Sequence, residues 1–82
     1  MTWNKAAAVL PPAQNVKKER RRYMVYGPKC GGYTFRCWYR DGFGCDSVQM
    51  MISDVTHWRI ARRGEKNGQL SADDLAAIAA LN

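Results

Sequence analysis

Tyr33-Thr34-Phe35-Arg36-Cys37-Trp38-Tyr39 places Tyr33, Phe35, Cys37 and Tyr39 on alternate positions, with Thr34, Arg36 and Trp38 between them. Successive side chains of a strand point to opposite faces, so this period of two predicts a strand with one aromatic face. On its N-terminal side Gly27-Pro28 and Gly31-Gly32 are turn residues, and they close a second β-favouring run, Tyr23-Met24-Val25-Tyr26. On its C-terminal side Asp41-Gly42 marks a tight turn. A third strand is expected through Ser47–Ile52, although Met50-Met51-Ile52 suits helix and strand equally. A fourth is expected through Val55–Ala61, with Thr56, Trp58 and Ile60 on one face and His57, Arg59 and Ala61 on the other. Runs of this length, separated by turns, predict a small antiparallel sheet of three to four strands over residues 22–61.

Beyond the sheet the pattern changes. Ser71 stands as a helix N-cap with Asp74 three residues on, a capping box with Asp in the usual Glu position, and Leu70 and Leu75 occupy the staple positions. Asp73 and Asp74 complement the positive end of a helix, and Leu75, Ile78 and Leu81 share one face among alanines. The tail, residues 70–82, is therefore expected to be an amphipathic helix that covers one face of the sheet, giving an α+β fold. Residues 1–21 read as an extended or irregular segment, because Pro11-Pro12 ends any helical turn through Lys5–Leu10. The segment closes on Lys17-Lys18-Glu19-Arg20-Arg21-Arg22, read as an exposed loop or the rim of the first strand. A chain of 82 residues has room for one modest core, so residues 1–82 form a single domain.

Charge points to the partner. Thirteen Lys and Arg stand against seven Asp and Glu, a formal +6, and the whole excess lies before the tail, where Asp73 and Asp74 are the only charged residues. Such a field favours an anionic partner over an uncharged one. Two sets of cations are available. One is the sequential run Lys17, Lys18, Arg20, Arg21 and Arg22. The other is borne by strands: Arg36 and Arg40 beside Trp38, joined by Arg59 if the Tyr33–Tyr39 strand neighbours Val55–Ala61, with Arg62 and Arg63 in the loop that follows. Guanidinium groups beside an exposed ring suit phosphate and carboxylate, and Trp38 reads equally as such a ring or as core. The strand-borne set is expected to matter more, because strand positions are held in fixed geometry.

Other chemistries find little support. The chain has one histidine, His57, with no paired carboxylates and no nucleophile or phosphate-loop motif, so no enzyme is expected and His57 reads as a structural ring bonded locally. Cys30, Cys37, Cys45 and His57 make up a zinc ligand count, but six and seven residues intervene between successive cysteines where zinc sites gather them two to four residues apart. No metal or cofactor is expected. An odd number of cysteines, with no leader-like opening and no apolar run of about twenty residues, is read as reduced thiols in a cytoplasmic protein without a membrane span.

Trp3, Leu10-Pro11-Pro12, Val16, Val25-Tyr26, the Tyr39/Asp41-Gly42 turn and Asp54-Val55-Thr56-His57-Trp58 resemble the framework of a family of short, uncharacterised phage and prophage proteins. That family opens on a Trp and a Leu-Pro and ends on Thr-His-Trp followed by prolines. Here Arg59-Ile60 replaces the prolines, and the basic run and capped tail lie outside the pattern. The resemblance implies no activity but a phage setting, in which small stand-alone proteins are often inhibitors of host machinery. In size, charge and lack of catalytic groups the chain is similar to anti-CRISPR proteins. The expectation is a monomeric, non-enzymatic inhibitor in the host cytoplasm that binds a type I CRISPR surveillance complex (Cascade), with non-specific nucleic acid as a further contact. A small basic DNA-binding regulator and a phage structural or interaction module are the alternatives.

Overall fold

The computed structural model describes residues 2–46 and 50–81. Among the described residues seven strands and one α-helix follow in chain order: β1 (Asn4–Lys5), β2 (Tyr23–Tyr26), β3 (Tyr33–Tyr39), β4 (Phe43–Cys45), β5 (Met50–Ile52), β6 (His57–Ile60), β7 (Gly68–Gln69) and α1 (Ala72–Ala80). The sheet is antiparallel in the order β1-β6-β2-β3-β4-β5, and β7 pairs with Tyr33 and Thr34 at the start of β3. The architecture is the expected α+β, with more strands than expected. β1 and β7 come from outside residues 22–61, and β4 lies in what reads as the turn after β3. Of the expected Ser47–Ile52 strand, Met50–Ile52 is present and residues 47–49 lie outside the described residues.

Register explains the core. Val25 faces Trp58 on one side and Phe35 on the other, and Tyr23 faces Cys37, which in turn faces Cys45. Partners directly opposite in an antiparallel pair share a face. Tyr23, Val25, Cys37, Cys45 and Trp58 therefore form, with Phe43, one buried cluster on one face, with Phe35, Tyr39 and Ile52 at its margin. Ala6 packs on the same cluster, and the Trp58 indole donates to the Val9 carbonyl at 2.8 Å, so the N-terminal segment covers this face. Tyr23 and Trp58 meet edge to face at 5.3 Å between centroids.

The opposite face is built from Met24, Arg59 and Arg36, which lie in one cross-strand row. Met24 is fully buried beneath Trp3, Leu70 and Ile78, and Tyr26, Ala61 and Leu81 complete this second cluster. Helix α1 thus covers the β2–β6 half of the sheet. Ser71 caps it as expected, its hydroxyl accepting from the Asp74 amide at 3.1 Å. Leu75, expected to face the sheet, is instead 44% exposed. The buried line of the helix runs through Asp74, Ile78 and Leu81, a spacing of four and then three, and Leu75 stands one residue, about 100°, off that line.

Candidate functional site

Arg59 was expected on a basic surface; the structure buries it. Its side chain is 1% exposed on β6, and both terminal nitrogens donate to Glu65, at 2.8 and 2.6 Å. Its Nε lies 3.6 Å from Asp74 Oδ1, and its guanidinium sits 5.1 Å from the centre of the Trp3 ring. Trp3 in turn donates its indole N–H to Asp74 Oδ1 at 2.9 Å. Two carboxylates and an aromatic face surround the cation, so it carries none of the outward field. The Glu65 hydrogen bonds hold Arg59 charged against its burial, and the same bonds hold the Glu65 carboxyl below its ordinary range. Burial alone would raise Asp74; the Trp3 hydrogen bond and the Arg59 charge outweigh it and keep Asp74 low.

Arg36 is also drawn inward: it is half-buried, and its guanidinium donates to the Glu65 carbonyl at 2.9 Å. Arg36 lines an open groove of about 490 Å³ with Asp46, Glu65 and Lys66, where two carboxylates oppose two cations. Arg62 and Arg63 are exposed in the turn after β6, and Arg62 donates its amide to Glu65. Four of the five strand-borne cations, Arg36, Arg59, Arg62 and Arg63, are therefore divided among a buried cluster, a neutral groove and a turn.

The sequential run is more ordered than a charge run by itself requires. Lys18 and Glu19 both donate their amides to the Asn15 carbonyl, and the Glu19 carboxylate accepts from the Asn15 amide, forming a single helical turn. Gln14 anchors it. Its amide bonds to Tyr39 O at 2.8 Å, its side-chain oxygen accepts from Tyr39 N, and its side-chain nitrogen donates to Arg21 O. Arg22 folds back onto Asp46 at 2.9 Å and onto the Glu19 and Arg21 carbonyls. Lys17, Lys18, Arg20 and Arg21 are left exposed.

This anchoring brings Lys17 to the end of β3. Lys17, Trp38 and Arg40 line one open groove of about 480 Å³ with Gln14, Asn15 and Val16, and none of its lining residues is a carboxylate. Trp38 is half-buried, and its indole lies against Gly44 on β4, where an added Cβ would run into the ring. Glycine at 44 therefore lets the indole lie on the sheet backbone. Arg40 has one exposed ion pair, to Asp41 at 3.9 Å, a contact of little energetic weight. Lys17 from the N-terminal segment thus converges with Trp38 and Arg40 at the end of β3 on one cationic, aromatic groove. Gln14 and Gly44, which build it, were not singled out from sequence; a glycine between Phe43 and Cys45 was the available signal of a close approach.

His57 is buried with Nδ1 2.8 Å from Thr56 Oγ1, the local hydrogen bond expected of it. Cys30, Cys37 and Cys45 are buried and not joined in disulfides, and burial raises the Cys30 and Cys37 thiols, opposing the reactive thiolate. Among the described residues no three His, Cys, Asp or Glu side chains are placed to hold a metal ion, and no helix is long and apolar enough to cross a membrane. Comparison with protein-family models, with curated proteins and with solved structures returns no match for this chain.

Proposed function

We propose that the protein is a non-enzymatic binding protein that engages an anionic partner through the Lys17–Trp38–Arg40 groove and the exposed cations of the adjoining turn. In the phage setting that the resemblance implies, the partner is a host type I CRISPR surveillance complex (Cascade), inhibited stoichiometrically in the host cytoplasm. The observation that supports this reading is the convergence of Lys17, Arg40 and a half-buried indole on a groove whose lining holds no carboxylate. Guanidinium and ammonium groups beside a ring favour phosphate or carboxylate over neutral surfaces. A net positive field accelerates encounter with such a partner and does not mimic DNA, which would require an acidic surface.

Affinity capture of the tagged protein from host lysate, with and without nuclease, tests the reading. A surveillance complex retained after nuclease and lost on K17E/R40E supports it. Material retained only without nuclease supports the DNA-binding regulator instead. Capture unchanged by the double reversal removes the groove from the function altogether.

A further inference from the structure

The Lys17–Trp38–Arg40 groove has a feature that charge by itself does not require. Its indole is held against the sheet by contact with Gly44, and its cations stand at the same groove as the ring. At about 480 Å³ the groove falls within the range of sites that enclose a small ligand or one unit of a polymer. Trp3 and Trp58, by contrast, are buried in the two core clusters and their indole N–H groups are bonded to Asp74 and Val9. Trp38 is therefore the tryptophan available to a ligand.

We propose that this groove binds single-stranded nucleic acid, one base stacking on the Trp38 indole while Lys17 and Arg40 take the flanking phosphates. The inference rests on the reading of this groove as the binding site and names what enters it. A flat ring with nearby cations matches the two parts of a nucleotide, the π-face of the base and the anionic phosphate. A single strand is favoured over a duplex because duplex bases are already stacked on one another, and bringing one to Trp38 would cost that stacking. Lys18 on the same turn as Lys17, and Arg20 and Arg21 just after it, are exposed and extend the positive track along which further phosphates lie. Stacking on an indole and contact with phosphate use features that every nucleotide shares, and the Gln14 side chain is already bonded to Tyr39 and Arg21. Binding is therefore tolerant of sequence. An acidic peptide segment would satisfy the cations but makes no use of the ring.

The test uses a fluorescein-labelled oligothymidylate of about 12 nucleotides and the duplex of the same length, titrated with the intact protein at low salt. Anisotropy should report binding of the single strand in preference to the duplex, with quenching of tryptophan fluorescence as the base covers Trp38. Trp38→Ala should weaken single-strand binding on the order of tenfold or more and remove the quenching, while Trp38→Phe should retain most of the affinity. K17E/R40E should abolish binding, and raising salt from about 50 to 200 mM should weaken the wild type steeply. Circular dichroism melts accompany every variant, and the fold-neutral K17E/R40E pair serves if Trp38→Ala loosens the sheet. Single-strand binding that is absent at low salt, or that ignores both Trp38→Ala and K17E/R40E, overturns the proposal, as does equal affinity for duplex. Nuclease-resistant capture of a host complex without oligonucleotide binding overturns this inference but leaves the wider reading standing. Loss of both defeats the groove as a binding site.

Discussion

Arg59 sits at 1% exposure between Glu65 and Asp74, and this one residue changes what can be asked of the basic surface. A buried cation with two carboxylate partners is costly to interrupt: removing it leaves Glu65 and Asp74 facing each other without a counter-charge, a loss of about 3–5 kcal/mol. Set against a stability of about 5–15 kcal/mol for a small domain, that is a large fraction. Arg59→Ala is therefore expected to lower the melting temperature by at least about 10 °C, measured by circular dichroism. Arg59→Glu should fail to fold, so it reports on the fold and not on binding. A melting temperature within a few degrees of wild type would show that the cluster carries little. The same residues set an acid response. Glu65 and Asp74 are both held below their ordinary values, so the folded state binds fewer protons than the unfolded chain in the acid range. Their stabilisation is complete above the unfolded carboxylate pKa of about 4 and is lost as pH falls through the lowered folded values. Melts from pH 7 to pH 3 should fall steeply in the acid limb, and Glu65→Gln should make that limb shallower even though it starts from a lower melting temperature. An unchanged limb in Glu65→Gln would mean that other carboxylates govern the acid response.

At the scale of elements, helix α1 shows how a local signal and a distant contact divide the work. The cap is local: Ser71 Oγ takes the Asp74 amide, and Asp73 and Asp74 lie in the first turn. Ser71→Ala should cost about 1 kcal/mol in denaturant unfolding, and a loss below about 0.3 kcal/mol would show that the cap adds nothing to the packing of the helix. The rotation of the helix is not local. Asp74 accepts from Trp3 and faces Arg59, and turning that residue toward the sheet brings Ile78 and Leu81 down with it and leaves Leu75 outside. Apolar periodicity chose Leu75, Ile78 and Leu81, because it has no means of scoring a buried carboxylate as an inward residue. β4 shows the same limit from the other side. Phe43-Gly44-Cys45 is too short to display a period of two, yet all three residues are buried once β3 supplies its register. Gly44→Val should displace the Trp38 indole and cost about 1–3 kcal/mol, visible as a lower melting temperature together with altered tryptophan emission. Emission and stability both unchanged would show that the ring does not depend on the sheet at 44.

Taken as a whole molecule, the charge excess is not one surface. Arg59 and, in part, Arg36 are turned inward, Arg22 is paired with Asp46, and Lys17 with Arg40 flanks Trp38. This distribution separates cations that the sequence reading placed on one basic surface. It predicts that K17E/R40E removes partner capture while R62E/R63E, on the exposed turn after β6, weakens it by a smaller factor through the general field. Both pairs should change stability by less than about 0.5 kcal/mol per site. Capture in parallel with thermal melts checks this; equal losses from the two pairs would mean that only net charge matters.

By itself the sequence determined what short-range physics can carry. The period of two in residues 33–39, the turn glycines around it, the β-favouring runs at Tyr23–Tyr26 and within Val55–Ala61, and the Ser71 cap all express steric and hydrogen-bonding preferences of neighbouring residues. The tertiary structure alone decided which strands meet and, through that, which charges are outside. β1 and β7 are two residues long and exist only because β6 and β3 offer them edges. Arg59 and Glu65 are six residues apart, but Trp3 and Asp74 are separated by 71, and no local pattern brings those four together. Lys17, Trp38 and Gly44 likewise become neighbours only through Gln14 at the end of β3 and the β3–β4 register. A charged residue in a sequence carries no mark of whether its counter-charge will be water or a buried carboxylate, because that depends on contacts made across the whole chain.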